Sequence, residues 1–142
     1  MVKQAKKSEQ ITPTLSIVYD YDQKLTKISE FESAFKEALG NKEGIARFGS
    51  FVLPMDDALV LASLDISGRT YFAFDAELPA ERLGTMETET VREFFMGFAS
   101  GAGMNLHIRQ IAGNNTHHIV EAMFKAVAKA MDQADVRNEV IK

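Results

Sequence analysis

The stretch LHIRQIAGNNTHHIVEAMF (Leu106–Phe124) reads as a strand, a Gly-Asn-Asn turn and the start of a helix, and it holds every histidine of the 142-residue chain. The strand begins at "MNLHIRQIAG", and the helix starts at "NNTHHIVE" and runs to about Ala134. Its apolar stripe is Ile119, Val120, Met123, Phe124, Val127, Ala130 and Met131. On a helix adjacent residues diverge by about 100°, whereas i and i+4 overlie one another. His117 and Glu121 therefore share a face beside or behind the stripe, and His118 points roughly a quarter turn away. A short turn containing Gly113 is expected to bring the strand residue His107 back towards the helix start.

Working outward, "RFGSFVLPMDDALVLASLDISGRTYFAFDAEL" contains three β-rich runs separated by Pro54-Met55-Asp56-Asp57 and Ser67-Gly68-Arg69, which suggest an antiparallel meander. "METETVREFFMGFASGAG" reads as a helix with a Glu87 or Thr88 start and an end at Gly101 or Gly103; its Phe94, Phe95 and Phe98 have core spacing. From residue 47 the order is strand, strand, strand, helix, strand, helix. The fold class expected is α+β, a mostly antiparallel sheet with helices packed on one face. Residues 1–10 read as a polar arm, and residues 14–40 as a strand and helix that repeat the last two elements. Aligned from Leu15 and Leu106, the repeat places Ser16 on His107, Thr26 and Lys27 on the histidine pair, and Glu30 on Glu121.

Composition narrows the chemistry. With no cysteine, thiolate metal sites, disulfides and cysteine nucleophiles are excluded, and any metal must be held by nitrogen and oxygen. A net charge of −4, with "KQAKK" the one short basic run, argues against nucleic acid as a partner. No apolar run reaches the length of a membrane span, so no membrane partner is expected and the location expected is cytoplasmic.

A histidine pair at a helix start is by itself ordinary surface chemistry. The concentration of all three histidines beside a carboxylate points instead to a divalent ion such as Mn, Fe, Co, Ni or Zn, as two ions or as one ion and a substrate. The positive end of the helix dipole disfavours imidazolium and favours the neutral ring. Arg47 and Arg69, each beside a turn bordering a strand, could fork a phosphate, although a lone arginine is equally at home in a surface ion pair.

Four runs, "EALGNKEGIARFGSF", "PMDDALVLASLDISGRTYFAFDAEL", "TETVREFF" and "LHIRQIAGNNTHHIVEAMFKAVAKA", resemble the imidazoleglycerol-phosphate dehydratase family, over about residues 37–134. The resemblance implies a half-domain like the second domain of ribosomal protein S5 at residues 46–134. Residues 1–45 would be a polar arm with the remnant of a first repeat, and residues 135–142 a tail. It implies His107, His117, His118 and Glu121 as metal ligands, Glu121 also as a catalytic group, and Arg47 and Arg69 as phosphate-binding residues. The cofactor implied is Mn2+, other divalent transition metals being possible, in a homo-oligomer with metal between subunits. The substrate implied is imidazoleglycerol phosphate, dehydrated in histidine biosynthesis to imidazoleacetol phosphate. The family's first HHxxE motif has no histidine counterpart here, only "TKISE" (Thr26–Glu30), and its closing Ser and Lys have no match in "DVRNEVIK". Two readings follow: a dehydratase-type lyase of reduced activity, or a non-catalytic metal-binding or oligomeric module of the same fold.

Overall fold

Met55 to Ala58 is a two-residue reversal, and it joins the first two strands of the sheet, β1 (Phe48–Met55) and β2 (Ala58–Asp65). Asp56 takes a positive φ of 51°, which aspartate tolerates better than most side chains. The computed structural model describes residues 43–136 together with Glu37, Gly40 and Asn41. Apart from those three positions, the arm, the expected strand and helix of residues 14–40 and the end of the tail lie outside the described residues. After β2 come β3 (Tyr71–Asp75), a small hairpin of β4 (Arg82–Leu83) and β5 (Met86–Glu87), helix α1 (Glu89–Ala102), β6 (Asn105–Ala112) and helix α2 (Thr116–Ala134).

The main sheet has the order β1-β2-β6-β3. β1 pairs antiparallel with β2, β2 antiparallel with β6, and β3 parallel with β6. The expected meander is therefore corrected: β3 does not lie beside β2, because β6 enters between them. Turn chemistry at Ser67-Gly68-Arg69 ends one strand but does not say which edge the next one joins. A parallel partner also requires a long crossover, and here residues 76–104, including α1, supply it. Met86 and Glu87, expected at the approach to the helix, form β5 instead; α1 starts after Thr88 and ends at Gly103, which adopts φ 66°.

Alternation along each strand puts one face under the helices. Leu53, Ala58, Val60, Ala62, Leu64, Leu106 and Ile108 are buried, with Phe72 and Phe74 half-buried in the same cluster. α2 packs on β1 and β2, and α1 on β3. Phe124 of α2 meets Phe95 and Phe94 of α1 at ring separations of 4.6 and 5.2 Å. All seven residues of the expected α2 stripe are buried. The opposite sheet face carries Phe48 and Tyr71, 62% and 57% exposed, so no described element covers it there.

The seat of α2 depends on Gly49. A Cβ at that position would stand 1.8 Å from the carbonyl oxygen of Ala130 and 2.8 Å from its carbon. Both atoms are backbone and cannot rotate away. Gly49→Ala is expected to destabilise the fold by about 2–3 kcal/mol or more, because the helix must shift off the sheet. Urea unfolding checks this, and an unchanged midpoint would show that α2 has slack over β1.

Candidate metal and phosphate site

Apart from His107, the residues singled out in the sequence fall into two groups at opposite ends of β2. At the hairpin end, His117 Nε2 lies 3.3 Å from Glu121 Oε2, as the i,i+4 spacing requires, and Lys125 Nζ lies 3.0 Å from Glu121 Oε1. The Glu121 carboxyl is held below the usual range, first by its bond from Lys125 and then by the Lys125 charge and His117. It is thus an ionised group with acceptor capacity only.

His118 turns away from His117, with ring centroids 6.3 Å apart, and faces the β1–β2 turn. Its Nδ1 lies 2.7 Å from Asp57 Oδ1, and its Nε2 lies 3.5 Å from Asp56 Oδ2. Asp57 Oδ2 also accepts the backbone N–H groups of Asn114 and Asn115, at 2.7 and 2.9 Å. Those two amides, then His118, hold the Asp57 carboxyl far below its ordinary value. In return, the hydrogen bond that His118 donates to Asp57 raises the imidazole, and the charges of Asp56, Asp57 and Glu121 add to it. The direction is opposite to the one expected from the helix dipole alone. Carboxylates in contact with an imidazole act more strongly than the partial charge of a helix end.

His107 does not join this group. It pairs with Ser63 and Ala73 in mid-sheet and is exposed, whereas its neighbours Leu106 and Ile108 are buried under the helices. It thus points from the opposite face, five residues before the strand ends, or about 17 Å along the strand. The Gly113 turn reverses the chain but cannot bring a side chain through the sheet. Among the described residues no group of three or more His, Asp or Glu is disposed to hold one ion. The imidazole of His107 lies 5.5 Å from the ring of Tyr71.

Arg47 and Arg69 lie at the far end of the sheet, and both act on one carboxylate. Arg47 forks Asp65 through Nε to Oδ1 and through Nη2 to Oδ2, the latter at 3.0 Å. That bond keeps the Asp65 carboxyl low, and the charge of Arg69 adds to the effect. Arg47 takes φ 77°, unusual for a residue with a Cβ, and its N–H donates to Ala134 O. β2 spans eight residues between the two groups, about 23 Å end to end.

Asp57 is the residue that sequence reading missed. "PMDD" signalled a turn, and nothing local says that its second aspartate reaches a histidine 61 positions away.

The fold and these residues define an α+β protein that presents imidazole and carboxylate groups at one end of its sheet and paired arginines at the other. The family pattern for imidazoleglycerol-phosphate dehydratase matches residues 30–131. The imidazoleglycerol-phosphate dehydratase of Lachnoclostridium phytofermentans is 60% identical over 101 residues, covering 71% of this chain and 52% of that protein. That of Acetivibrio thermocellus is 55% identical over 109 residues, covering 77% and 56%. The crystal structure of the Staphylococcus aureus enzyme matches with a TM-score of 0.74 at 36% identity, over 80% of this chain and 69% of that one. The chain belongs to the imidazoleglycerol-phosphate dehydratase family. It spans about half the length of the curated relatives it matches.

The Asp57 geometry has an acid signature. Its folded value lies below the ordinary 3.8, so its contribution to stability is complete above that value and is lost as pH falls through the folded one. The stability gap between wild type and Asp57→Asn in urea is expected to narrow between pH 5 and about pH 2. A gap that stays constant over that range would contradict the bonding described here.

Proposed function

We propose that this chain is a dehydratase-type lyase subunit that acts on imidazoleglycerol phosphate with a divalent ion, Mn2+ foremost, and that its site is completed between copies. The observation that carries the reading is the separation of the imidazole–carboxylate group from the arginine pair. Each end of the sheet offers part of the chemistry that the family's name requires, and one chain does not bring the ends together. Face-to-end association of copies would bring His117, His118 and Glu121 of one to His107, Arg47 and Arg69 of another.

The donor set suits a borderline divalent ion, since it offers imidazole nitrogen and carboxylate oxygen and no thiolate. His107, His117, His118 and Glu121 would hold the metal, which when bound supplies Lewis acidity to the substrate's imidazole ring. In this reading the ionised Glu121 takes a proton from the carbon beside that ring. Hydroxide leaves the neighbouring carbon, and the enol formed tautomerises to imidazoleacetol phosphate. Arg47 and Arg69 grip the phosphate, for which Arg47 must release or share its fork on Asp65. Holding the phosphate at a distance from the reacting carbons orients them, which is where remote binding energy acts on rate.

A second observation favours low turnover: all three histidines lie between residues 107 and 118, so a single HHxxE serves the chain. The same observation supports the alternative of a metal-binding or oligomeric module without catalysis. Purified with Mn2+, the chain is expected to dehydrate imidazoleglycerol phosphate far more slowly than a full-length relative. Loss of all turnover at saturating metal, with metal still bound, would favour the non-catalytic module.

Metal binding and assembly give a separate check. His117→Ala with Glu121→Ala is expected to weaken Mn2+ binding by 10-fold or more on the order of ligand-shell losses, and Arg47→Ala to leave it near wild type. Light scattering is expected to find an oligomer. A monomer with and without metal would remove the composite site.

A further inference from the structure

Imidazole offers a metal one nitrogen at a time, and the bond made by the other nitrogen decides which. The ring of His118 is held by a residue from outside its own helix. Its Nδ1 meets Asp57 Oδ1 at 2.7 Å. The carboxylate itself has little freedom, since its other oxygen accepts two backbone N–H groups, from Asn114 and Asn115. The root of the histidine is pinned as well, because its backbone N–H donates to Asn115 Oδ1 at 3.0 Å.

We infer that Asp57 is the positioning residue for His118: it accepts Nδ1–H, fixes the ring, and leaves Nε2 as the ligating nitrogen. The inference rests on the metal role proposed for His118. An ionised carboxylate can only accept, so a ring bonded to it through Nδ1 must carry the proton there. In the neutral ring the lone pair is then on Nε2, on the side of the exposed Asp56 carboxylate, where an ion can approach from solvent. Asparagine at position 57 keeps an oxygen for the Asn114 and Asn115 amides but offers an N–H to Nδ1. The ring is then drawn to the opposite tautomer, with its proton on Nε2.

The test uses the full chain. Nitrogen NMR of the metal-free protein, at alkaline pH where the imidazoles are neutral, is expected to show His118 as the Nδ1–H tautomer in wild type. Asp57→Asn is expected to shift it towards Nε2–H. Titration with Mn2+ alone should show binding weakened by about 10–100-fold in Asp57→Asn. In a His118→Ala background the same substitution should change affinity by less than about twofold, because the ring through which it acts is gone. An equal loss in both backgrounds would mean that Asp57 serves only the fold, and a wild-type Nε2–H tautomer would overturn the inference directly. If wild type binds no Mn2+, the metal reading fails while the NMR result still decides whether Asp57 sets the tautomer. Should Asp57→Asn not fold, the wild-type spectrum alone makes that decision.

Discussion

Helix α2 is tied to the sheet at both ends, and nearly everything else in the described structure follows from that. At its start, Asp57 in the β1–β2 turn accepts the N–H groups of Asn114 and Asn115. At its end, Arg47 donates to Ala134 O, Ser50 N–H donates to Gln133 Oε1, and the bare Gly49 lets the helix backbone rest on β1. Between these ties the helix buries Ile119, Met123, Val127 and Ala130 over the inner face. Burial of that area drives docking, and the polar ties set the rotation and height of the helix.

The rotation matters because it sorts the polar side chains. With the stripe turned inward, His117, Glu121 and Lys125 form one row along the outer surface of α2, and His118 is left at the side of the hairpin turn. At both ends of the sheet an aspartate meets a cationic or protonatable partner: Asp57 meets His118, and Asp65 meets Arg47, with the charge of Arg69 acting on it as well. The two situations differ in freedom. Asp57 is bonded to backbone and cannot swing, whereas the Arg47–Asp65 fork is between side chains at an exposed edge.

Much of the architecture was legible because its signals are local. The period of α2, the Gly103 end of α1 and the turn at Asp56-Asp57 depend on residues within one or two turns of one another, and each appears where the chain implied. His117 with Glu121 was legible for the same reason, since i,i+4 contact is a property of any helix. The meander was not, because the insertion of β6 between β2 and β3 depends on a crossover of nearly thirty residues. Nor was the position of His107. Proximity along the chain suggested that it would join the pair, but the sheet lies between its side chain and the helix.

By itself the sequence determined the family, the α+β class, the identity of the main-sheet strands and of both helices, and the absence of thiolate chemistry. All of these depend on residue type and short-range spacing. Only the tertiary structure decided that His107 lies apart from the histidine pair, that Arg47 forks Asp65, and that Asp57 holds His118. The last two arrangements join positions 18 and 61 residues apart. No local periodicity encodes such pairings; they exist because the packing of α2 on β1 and β2 brings those positions together.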